Sequence, residues 1–368
     1  MTPEQLAALF DLAPAGNSLE DLETPVPVID LDVVLANMER WQRRCDALGL
    51  ANRPHIKTHK LVPLAKAQVA LGAKGITVQK LGEAEVMADA GIKDLLLTFN
   101  VVGAHKLDRL AALAKRTDIA VTVDNDTVVE GVAKAGRAAG RPIRVLIECD
   151  TGAGRCGVQT PAEALSLARK IANTKGLALG GLMTYPKAGM RKPIAAFIEE
   201  TKARLRKEGL PVETVSTGGS PEMWSDEGLS CASEYRAGTY IYNDRALIAA
   251  GAAKPADCAL SVLATVVSRP TEGRAIIDAG SKALTSDLLG LEGYGVLRDH
   301  GDAPVYNVNE EHGYVDVSKL ADKPRVGTIV RVLPNHVCPV SNLYDRVVLT
   351  RGPRVLGSAK VDARGLVT

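Results

Sequence analysis

Two clusters in this chain carry residue types that do chemistry. His336-Val337-Cys338 puts an imidazole and a thiol two residues apart, and Arg53-Pro54-His55-Ile56-Lys57-Thr58-His59-Lys60 surrounds a lysine with histidines and further basic groups. On an extended segment, residues two apart point to one face, so His336 and Cys338 converge on one point, with Pro339 closing the strand. That is half of a zinc site, and substrate or water fills the rest. Sulfur with nitrogen favours zinc over magnesium or calcium. The plain alternative is a buried structural cysteine beside a surface histidine. If the fold joins the two clusters, a carbonyl cofactor on the lysine and a Lewis acid share one pocket. That pairing suits chemistry at Cα and Cβ of an amino acid.

Such residues need a frame. Apolar runs at residues 26–31, 54–58, 75–79, 95–100, 119–124, 145–150, 179–184 and 214–218 read as strands. Between them, stretches such as 81–90, 127–139, 162–172 and 194–208 space apolar residues three and four apart, as amphipathic helices do. Eight βα units of this kind predict an α/β protein with a parallel (β/α)8 barrel over residues 25–245, and an open doubly wound sheet is the runner-up. Gly91, Gly140 and Gly209 follow helical stretches, as C-terminal caps do. After residue 245 the texture changes. Runs at 260–268, 274–278, 314–317 and 326–333 are β-rich with turns between them, so residues 246–368 read as a β domain, with 1–24 packing on it.

A barrel places its active site at the C-terminal ends of its strands. Lys57 lies at such an end, where a largely apolar cavity keeps an amine ready as a nucleophile; a solvated basic loop is the plain alternative. Ser216-Thr217-Gly218-Gly219-Ser220 follows the last run and offers backbone N–H groups and hydroxyls to a phosphate, with Ala237-Gly238-Thr239-Tyr240 as a second side. A plain turn is the alternative there. Arg155, in Gly152-Ala153-Gly154-Arg155-Cys156-Gly157, can hold an acidic oxygen or a carboxylate. Tyr185 can stack on a flat cofactor, and Arg236 can face a ring nitrogen. Cys149 and Cys156 read as barrel fillers. His312 lies in the β domain, within possible reach of the pocket.

Composition narrows the class. Of 368 residues, 46% are apolar and 24% charged, with a formal net charge of +2, which describes an ordinary soluble protein. No basic block points to nucleic acid or an anionic membrane. The start, Met1-Thr2-Pro3-Glu4-Gln5-Leu6, lacks the basic head and apolar core of a signal peptide, and no apolar run reaches about 18 residues. Six cysteines in a chain this long are not a disulfide scaffold, so a reducing, cytoplasmic setting is expected.

Taken jointly, these motifs resemble the fold-type III pyridoxal-phosphate enzymes, whose best-known members are the alanine racemases. The likeness is closer to the branch of D-threonine aldolase and D-serine dehydratase. It rests on the 53–60 run, on Gly75-Ile76-Thr77-Val78-Gln79-Lys80 leading into Glu83-Ala84-Glu85, on Gly154-Arg155-Cys156-Gly157, on Thr217-Gly218-Gly219, on Glu311-His312-Gly313 and on His336-x-Cys338. It extends from about residue 24 to the C-terminus.

The resemblance implies a head-to-tail homodimer of barrel and β domains. Lys57 would attach pyridoxal 5'-phosphate through its carbonyl, and Arg155 would contact the phenolic oxygen. Thr217, Gly218, Gly219, Ser220, Gly238, Thr239 and Tyr240 would hold the phosphate. His336 and Cys338 would bind a divalent metal, zinc first and manganese second, with His59 near it as a base. The implied substrates are D-β-hydroxy-α-amino acids. The implied reaction is D-threonine aldolase-type cleavage to glycine and an aldehyde. The alternative is elimination to a 2-oxo acid and ammonia, as in D-serine or D-3-hydroxyaspartate dehydratases. Two departures lean toward elimination: the aldolases carry aspartate where Cys338 stands, and a histidine where Pro186 follows the barrel tyrosine. Residues 75–90 and 236–244 lean back toward the low-specificity D-threonine aldolases.

Overall fold

The computed structural model of the chain describes residues 1–187, 189, 191–212 and 214–368. It divides into two compact units. One comprises Gln42–Lys57, Ala65–Gly238 and Leu366–Thr368; the other comprises Met1–Trp41, Thr58–Leu64 and Thr239–Gly365.

The first apolar run forms β1 (Val26–Asp30), which does not open the barrel. The barrel sheet instead holds β2 (Ala51–Asn52), β3 (Ile76–Val78), β4 (Asp94–Leu97), β5 (Asp118–Val123), β6 (Ile143–Cys149), β7 (Leu177–Thr184), β8 (Thr214–Thr217) and β9 (Glu234–Tyr235). Its order is β2-β9-β8-β7-β6-β5-β4-β3, with all neighbours parallel. The two end strands meet as well. Lys74 N–H donates to Asn52 O at 2.9 Å, Thr77 N–H donates to Pro54 O at 2.8 Å, and His55 bridges Thr77 in parallel. The eight-stranded sheet therefore curls back on itself, as a barrel of eight βα units is expected to do. The eighth strand is β9, not the run at 26–31, because a pair of residues is too short to leave a periodic signature.

Leu96, Ala120, Leu146 and Met183, one from each of β4 to β7, pack together on one side of this sheet. Removing such side chains from water stabilises the fold by about 25 cal/mol per Å2 of apolar surface. The helices between strands match the 3.6-residue pattern closely: Leu81–Asp89, Asp126–Ala139, Pro161–Ala172 and Arg191–Lys207. Gly140 closes the second of them in the left-handed conformation at φ 74°, where a glycine has no Cβ penalty.

The second unit is built on a nine-stranded sheet. Its strands beyond β1 are β10 (Leu260–Thr271), β11 (Arg274–Ile277), β12 (Gly295–Leu297), β13 (Ala303–Val308), β14 (Gly313–Asp316), β15 (Ile329–Pro334), β16 (Arg346–Arg351) and β17 (Arg354–Lys360). β1 lies between β10, antiparallel to it, and β16, parallel to it. Val28, Leu263, Val348 and Val355 form a buried cluster across these strands.

Candidate active site

Lys57, Arg155, Tyr185, residues 217–220 and Arg236 lie at or after the ends of β2, β6, β7, β8 and β9, which are parallel and share one C-terminal edge. Lys57 stands five residues beyond β2, in a 3-10 turn (Ile56–Thr58), where the sequence reading had placed a strand. The turn follows from local bonding. His55 is buried, its Nδ1 accepts from Lys57 N–H at 3.4 Å, and its Nε2 lies 3.0 Å from Gln79 Oε1. Gln79 in turn donates to Thr98 O at 2.9 Å. Gln79, just after β3, thus ties His55, and with it the backbone at Lys57, to the carbonyl that follows β4.

Arg53 anchors the same loop from below. It is 2% exposed, gives Nε to Glu234 Oε2 at 3.0 Å, and gives both terminal nitrogens to Asp94 at 2.9 and 3.0 Å. Two carboxylates around one guanidinium make a fork geometry that only arginine can satisfy.

The proposed phosphate cradle sits at the end of β8. Gly218 has φ +114°, and a Cβ there would come within 2.5 Å of the Tyr235 ring. Tyr235 donates its hydroxyl to Gly219 O at 2.9 Å, and Ser220 Oγ accepts from Gly238 N–H at 3.2 Å. The two glycine-bearing segments named from sequence are therefore bonded to each other. Gly219 and Ser220 open a short 3-10 turn (Ser220–Glu222), so their N–H groups have no acceptor within it.

Tyr185, directly after β7, is 39% exposed and lies beside Gly219 and beneath Arg155, whose guanidinium is 4.8 Å from its ring centroid. Arg155 also pairs with Glu148 at 3.5 Å. Burial pushes the Glu148 carboxyl up, and the charges of Arg155 and Arg236 oppose that rise. Arg236, directly after β9, is 5% exposed; its Nε donates to Ser216 Oγ at 2.8 Å and its Nη2 to Thr184 O at 2.7 Å. Burial pushes its guanidinium down to about 10, against the pull of Glu234 and Glu148. Among the described residues Nη1 of this buried cation has no hydrogen-bond acceptor. Cys149 is buried, as a barrel filler is, whereas Cys156 is half-buried in the loop after β6.

The other unit carries the donor pair. His336 and Cys338 are not on a strand. His336 is the N-cap of a helix (Val337–Leu343), in extended conformation at φ −142°, and Cys338 lies in its first turn. Pro339 fits because the first N–H groups of a helix need no intrahelical acceptor, so a residue without N–H is tolerated there. The cap and first turn, not strand alternation, direct both side chains. Asp244 holds the backbone between them: its Oδ2 accepts from Val337 N–H at 3.2 Å and its Oδ1 from Leu247 N–H at 3.0 Å. Burial pushes the Asp244 carboxyl up to about 6, against those N–H groups.

Each member of the pair has its own contact. His336 Nδ1 lies 2.6 Å from Asp287 Oδ2, and Cys338 Sγ lies 3.1 Å from Thr58 Oγ1 and 3.7 Å from Thr239 Oγ1. Burial alone lowers an imidazolium, yet hydrogen bonding and charge from Cys338, then from Asp287, push His336 up to about 9. Tyr242 is fully buried near Cys338, its hydroxyl has no partner among the described residues, and burial raises its phenol well above the usual value. His59 is fully buried, and its Nδ1 accepts from Leu61 N–H at 3.0 Å. Lys60 follows in the left-handed region at φ 55°. His312 is exposed in the turn between β13 and β14. Among the described residues no three His, Cys, Asp or Glu side chains gather closely enough to hold a metal by themselves.

Asp287, Asp244, Glu148 and Tyr242 were not legible from motifs. Glu148 had one signal, an acid inside an otherwise apolar run. Asp287 lies in a loop, Thr285-Ser286-Asp287-Leu288, with no pattern at all.

Residues 29–246 match the family described as alanine racemase, N-terminal domain, and residues 259–350 match a serine dehydratase domain. The D-threonine aldolase of Arthrobacter sp. is 34% identical, covering 97% of each chain. The D-threo-3-hydroxyaspartate dehydratase of Delftia sp. is 35% identical over 88% of this chain and 92% of its own. Its solved structure superposes with a TM-score of 0.85 over 94% of this chain and 99% of that one. Structures of that enzyme include a cysteine-to-alanine variant in the metal-free form and a histidine-to-alanine variant. The crystal structure of the Filomicrobium marinum D-threonine aldolase superposes with a TM-score of 0.89 at 32% identity, covering 97% of this chain and all of that one.

Proposed function

Because the chain belongs to the fold-type III pyridoxal-phosphate enzymes, with an alanine racemase-like barrel followed by a serine dehydratase domain, we propose that it is a lyase of D-β-hydroxy-α-amino acids. It depends on pyridoxal phosphate and a divalent metal, and it cleaves its substrate to glycine and an aldehyde. The observation that carries a metal-dependent lyase, whichever bond it breaks, is the His336–Cys338 pair. Asp287 holds Nδ1 of the imidazole, Thr58 meets the sulfur, and His336 and Cys338 hydrogen-bond each other, so an imidazole nitrogen and a thiol stand together as the donor pair for an ion. Zinc suits that donor set best, with manganese second. Substrate and water complete the coordination.

The barrel residues fit the cofactor. Gly218 has room only for hydrogen at its Cα, and the N–H groups of Gly219 and Ser220 face no acceptor of their own turn, which is what a phosphate requires. Thr217, Gly238, Thr239 and Tyr240 flank that cradle in sequence. Arg236 has a spare N–H donor for a ring nitrogen or a polar substituent. Arg155 and Tyr185 supply a cation and an aromatic face. When bound, pyridoxal phosphate supplies an electron sink for charge that develops at Cα. A divalent ion supplies a Lewis acid for the β-hydroxyl.

Lys57 attaches the cofactor, and its position is fixed by His55 and Arg53. Retro-aldol cleavage then needs a group to take the proton of the β-hydroxyl, and His59 is the side chain assigned to it. This first reading rests on similarity to a D-threonine aldolase along 97% of both chains.

Elimination to a 2-oxo acid and ammonia is the second reading, and two observations favour it. The Delftia dehydratase variants alter a histidine and a cysteine two positions apart, the spacing of His336 and Cys338. His59 Nδ1 accepts from a backbone N–H, so the neutral ring carries its hydrogen on Nε2 and presents a hydrogen-bond donor there. In elimination Lys57 is the base at Cα, and His59 donates to the departing hydroxyl.

In this account residues from within 25–245 hold the cofactor, residues from within 246–368 hold the metal, and the protein works as a homodimer. A reducing cytoplasm keeps its free cysteines as thiols, Cys338 among them. Substitution of the lysine tests the reading. Lys57→Ala removes the visible absorbance of bound cofactor and cuts turnover by about 10³-fold or more. A Lys57→Ala protein that stays yellow and turns over at the wild-type rate contradicts it.

A further inference from the structure

We propose that Asp287 is a positioning residue for His336: it takes the Nδ1 hydrogen and so presents Nε2 of the imidazole as the metal-binding atom. The inference rests on the metal reading above and adds a residue that no motif marks. Its geometry is direct. Asp287 Oδ2 lies 2.6 Å from His336 Nδ1, at the short end for a charge-assisted hydrogen bond. A neutral imidazole has one donor and one acceptor nitrogen, and the partner of the donor decides which nitrogen coordinates. A carboxylate on Nδ1 therefore selects the tautomer with a free lone pair on Nε2. It also raises the basicity of that lone pair.

Asp287 is itself held. Its backbone N–H donates to Thr285 Oγ1 at 3.2 Å. Thr285 caps the preceding helix (Ser281–Leu284) with φ 68°, and its own N–H donates to Ser281 O at 2.9 Å. The carboxylate thus stands on a turn that is bonded in two places. On the other side, Asp244 fixes the backbone at Val337. One carboxylate sets where the His336 main chain runs, and the other sets how its ring turns. The division of labour has a consequence for exposure. The Asp287 side chain is 40% exposed and the His336 side chain 24%, so replacing Asp287 opens no cavity in the core.

The test measures metal binding by the full chain with its cofactor, using zinc in competition with a chromogenic chelator. Wild-type protein binds zinc, and Asp287→Ala weakens it about 10- to 100-fold. Asp287→Asn, which still accepts the Nδ1 hydrogen but carries no charge, falls between them. Cofactor content and melting temperature stay at wild-type values in both variants. In cobalt-substituted protein the thiolate absorption of Cys338 persists in Asp287→Ala at saturating metal, since that ligand is untouched. Zinc affinity within about twofold of wild type in Asp287→Ala overturns the proposal while leaving the metal reading intact. Loss of cofactor or of melting temperature alongside the zinc also overturns it, because Asp287 would then hold the fold rather than the ring. Wild-type protein that binds no zinc at all overturns the metal reading, and this inference with it.

Discussion

Thr58 Oγ1 lies 3.1 Å from Cys338 Sγ, and Thr58 follows Lys57 directly in the chain. The two clusters that stand far apart in sequence are thus tied through one residue. When Cys338 is a thiolate, the form that binds metal, the Thr58 hydroxyl is the donor of this pair. The segment that carries this hydroxyl is bonded on both sides: His59 Nδ1 accepts from Leu61 N–H, and Lys60 O accepts from Ala363 N–H.

Metal removal separates this account from a simple racemase. Full chelation abolishes turnover while the protein keeps its bound cofactor, and added zinc restores activity. Cys338→Ala, which removes a ligand itself, weakens zinc by more than the roughly 100-fold expected at most for a supporting residue. Chelator competition and a cofactor absorbance spectrum read both effects. Activity that survives chelation makes His336 and Cys338 structural.

Gly218→Ala tests the phosphate cradle. The backbone there lies at φ +114°, outside what an alanine adopts without strain, and the new methyl meets Tyr235 carbons at 2.5 Å. Strain of this kind costs about 1–3 kcal/mol, and the ring must also move. Tyr235 holds Gly219 O through its hydroxyl, so the displacement reaches the N–H groups assigned to phosphate. The expected outcome is a cofactor dissociation constant raised about tenfold or more, read by absorbance titration of the apoprotein. Cofactor affinity equal to wild type argues against phosphate binding at 217–220.

Arg53→Met is predicted to destabilise the protein by about 3 kcal/mol, since it leaves the buried Glu234, 1% exposed, with the half-exposed Lys74 at 3.7 Å in place of the guanidinium. Urea denaturation measures it. The acid limb changes too. Burial pushes the Asp94 carboxyl up, but the hydrogen bond and charge of Arg53 outweigh burial and hold it below the usual range. A depressed carboxylate contributes stability that is present above its unfolded value and is lost as pH falls through its folded one. Wild-type stability therefore drops as pH falls below about 4, and Arg53→Met loses part of that slope. An unchanged slope would mean that the pair does not govern the acid limb.

Much of this arrangement was legible in the chain. The helices at Leu81–Asp89 and Asp126–Ala139 begin and end within a residue of the apolar pattern, because a helix of several turns repeats its signal. Lys57, Tyr185, Gly218 and Arg236 all follow barrel strands, as a parallel barrel demands. Four things were not legible. β1 shows that it is a strand, but five residues do not say which sheet they join. β9 is too short to show a period. His336-Val337-Cys338 reads equally as strand or as helix start, and only the cap by Asp244 at Val337 decides it. Asp287 reaches His336 across the fold, and long-range pairs leave no local trace.

Product analysis with D-threonine tests the central claim most directly. Protein supplied with pyridoxal phosphate and zinc or manganese is predicted to release glycine and acetaldehyde in equal amounts, and to stop on chelation. 2-Oxobutanoate with ammonia in their place would keep the lyase and its metal pair but transfer the reaction to elimination. Release of neither pair of products, with D-threonine unchanged or converted only to an epimer, would contradict the assignment of this chain as a metal-dependent lyase of D-β-hydroxy amino acids.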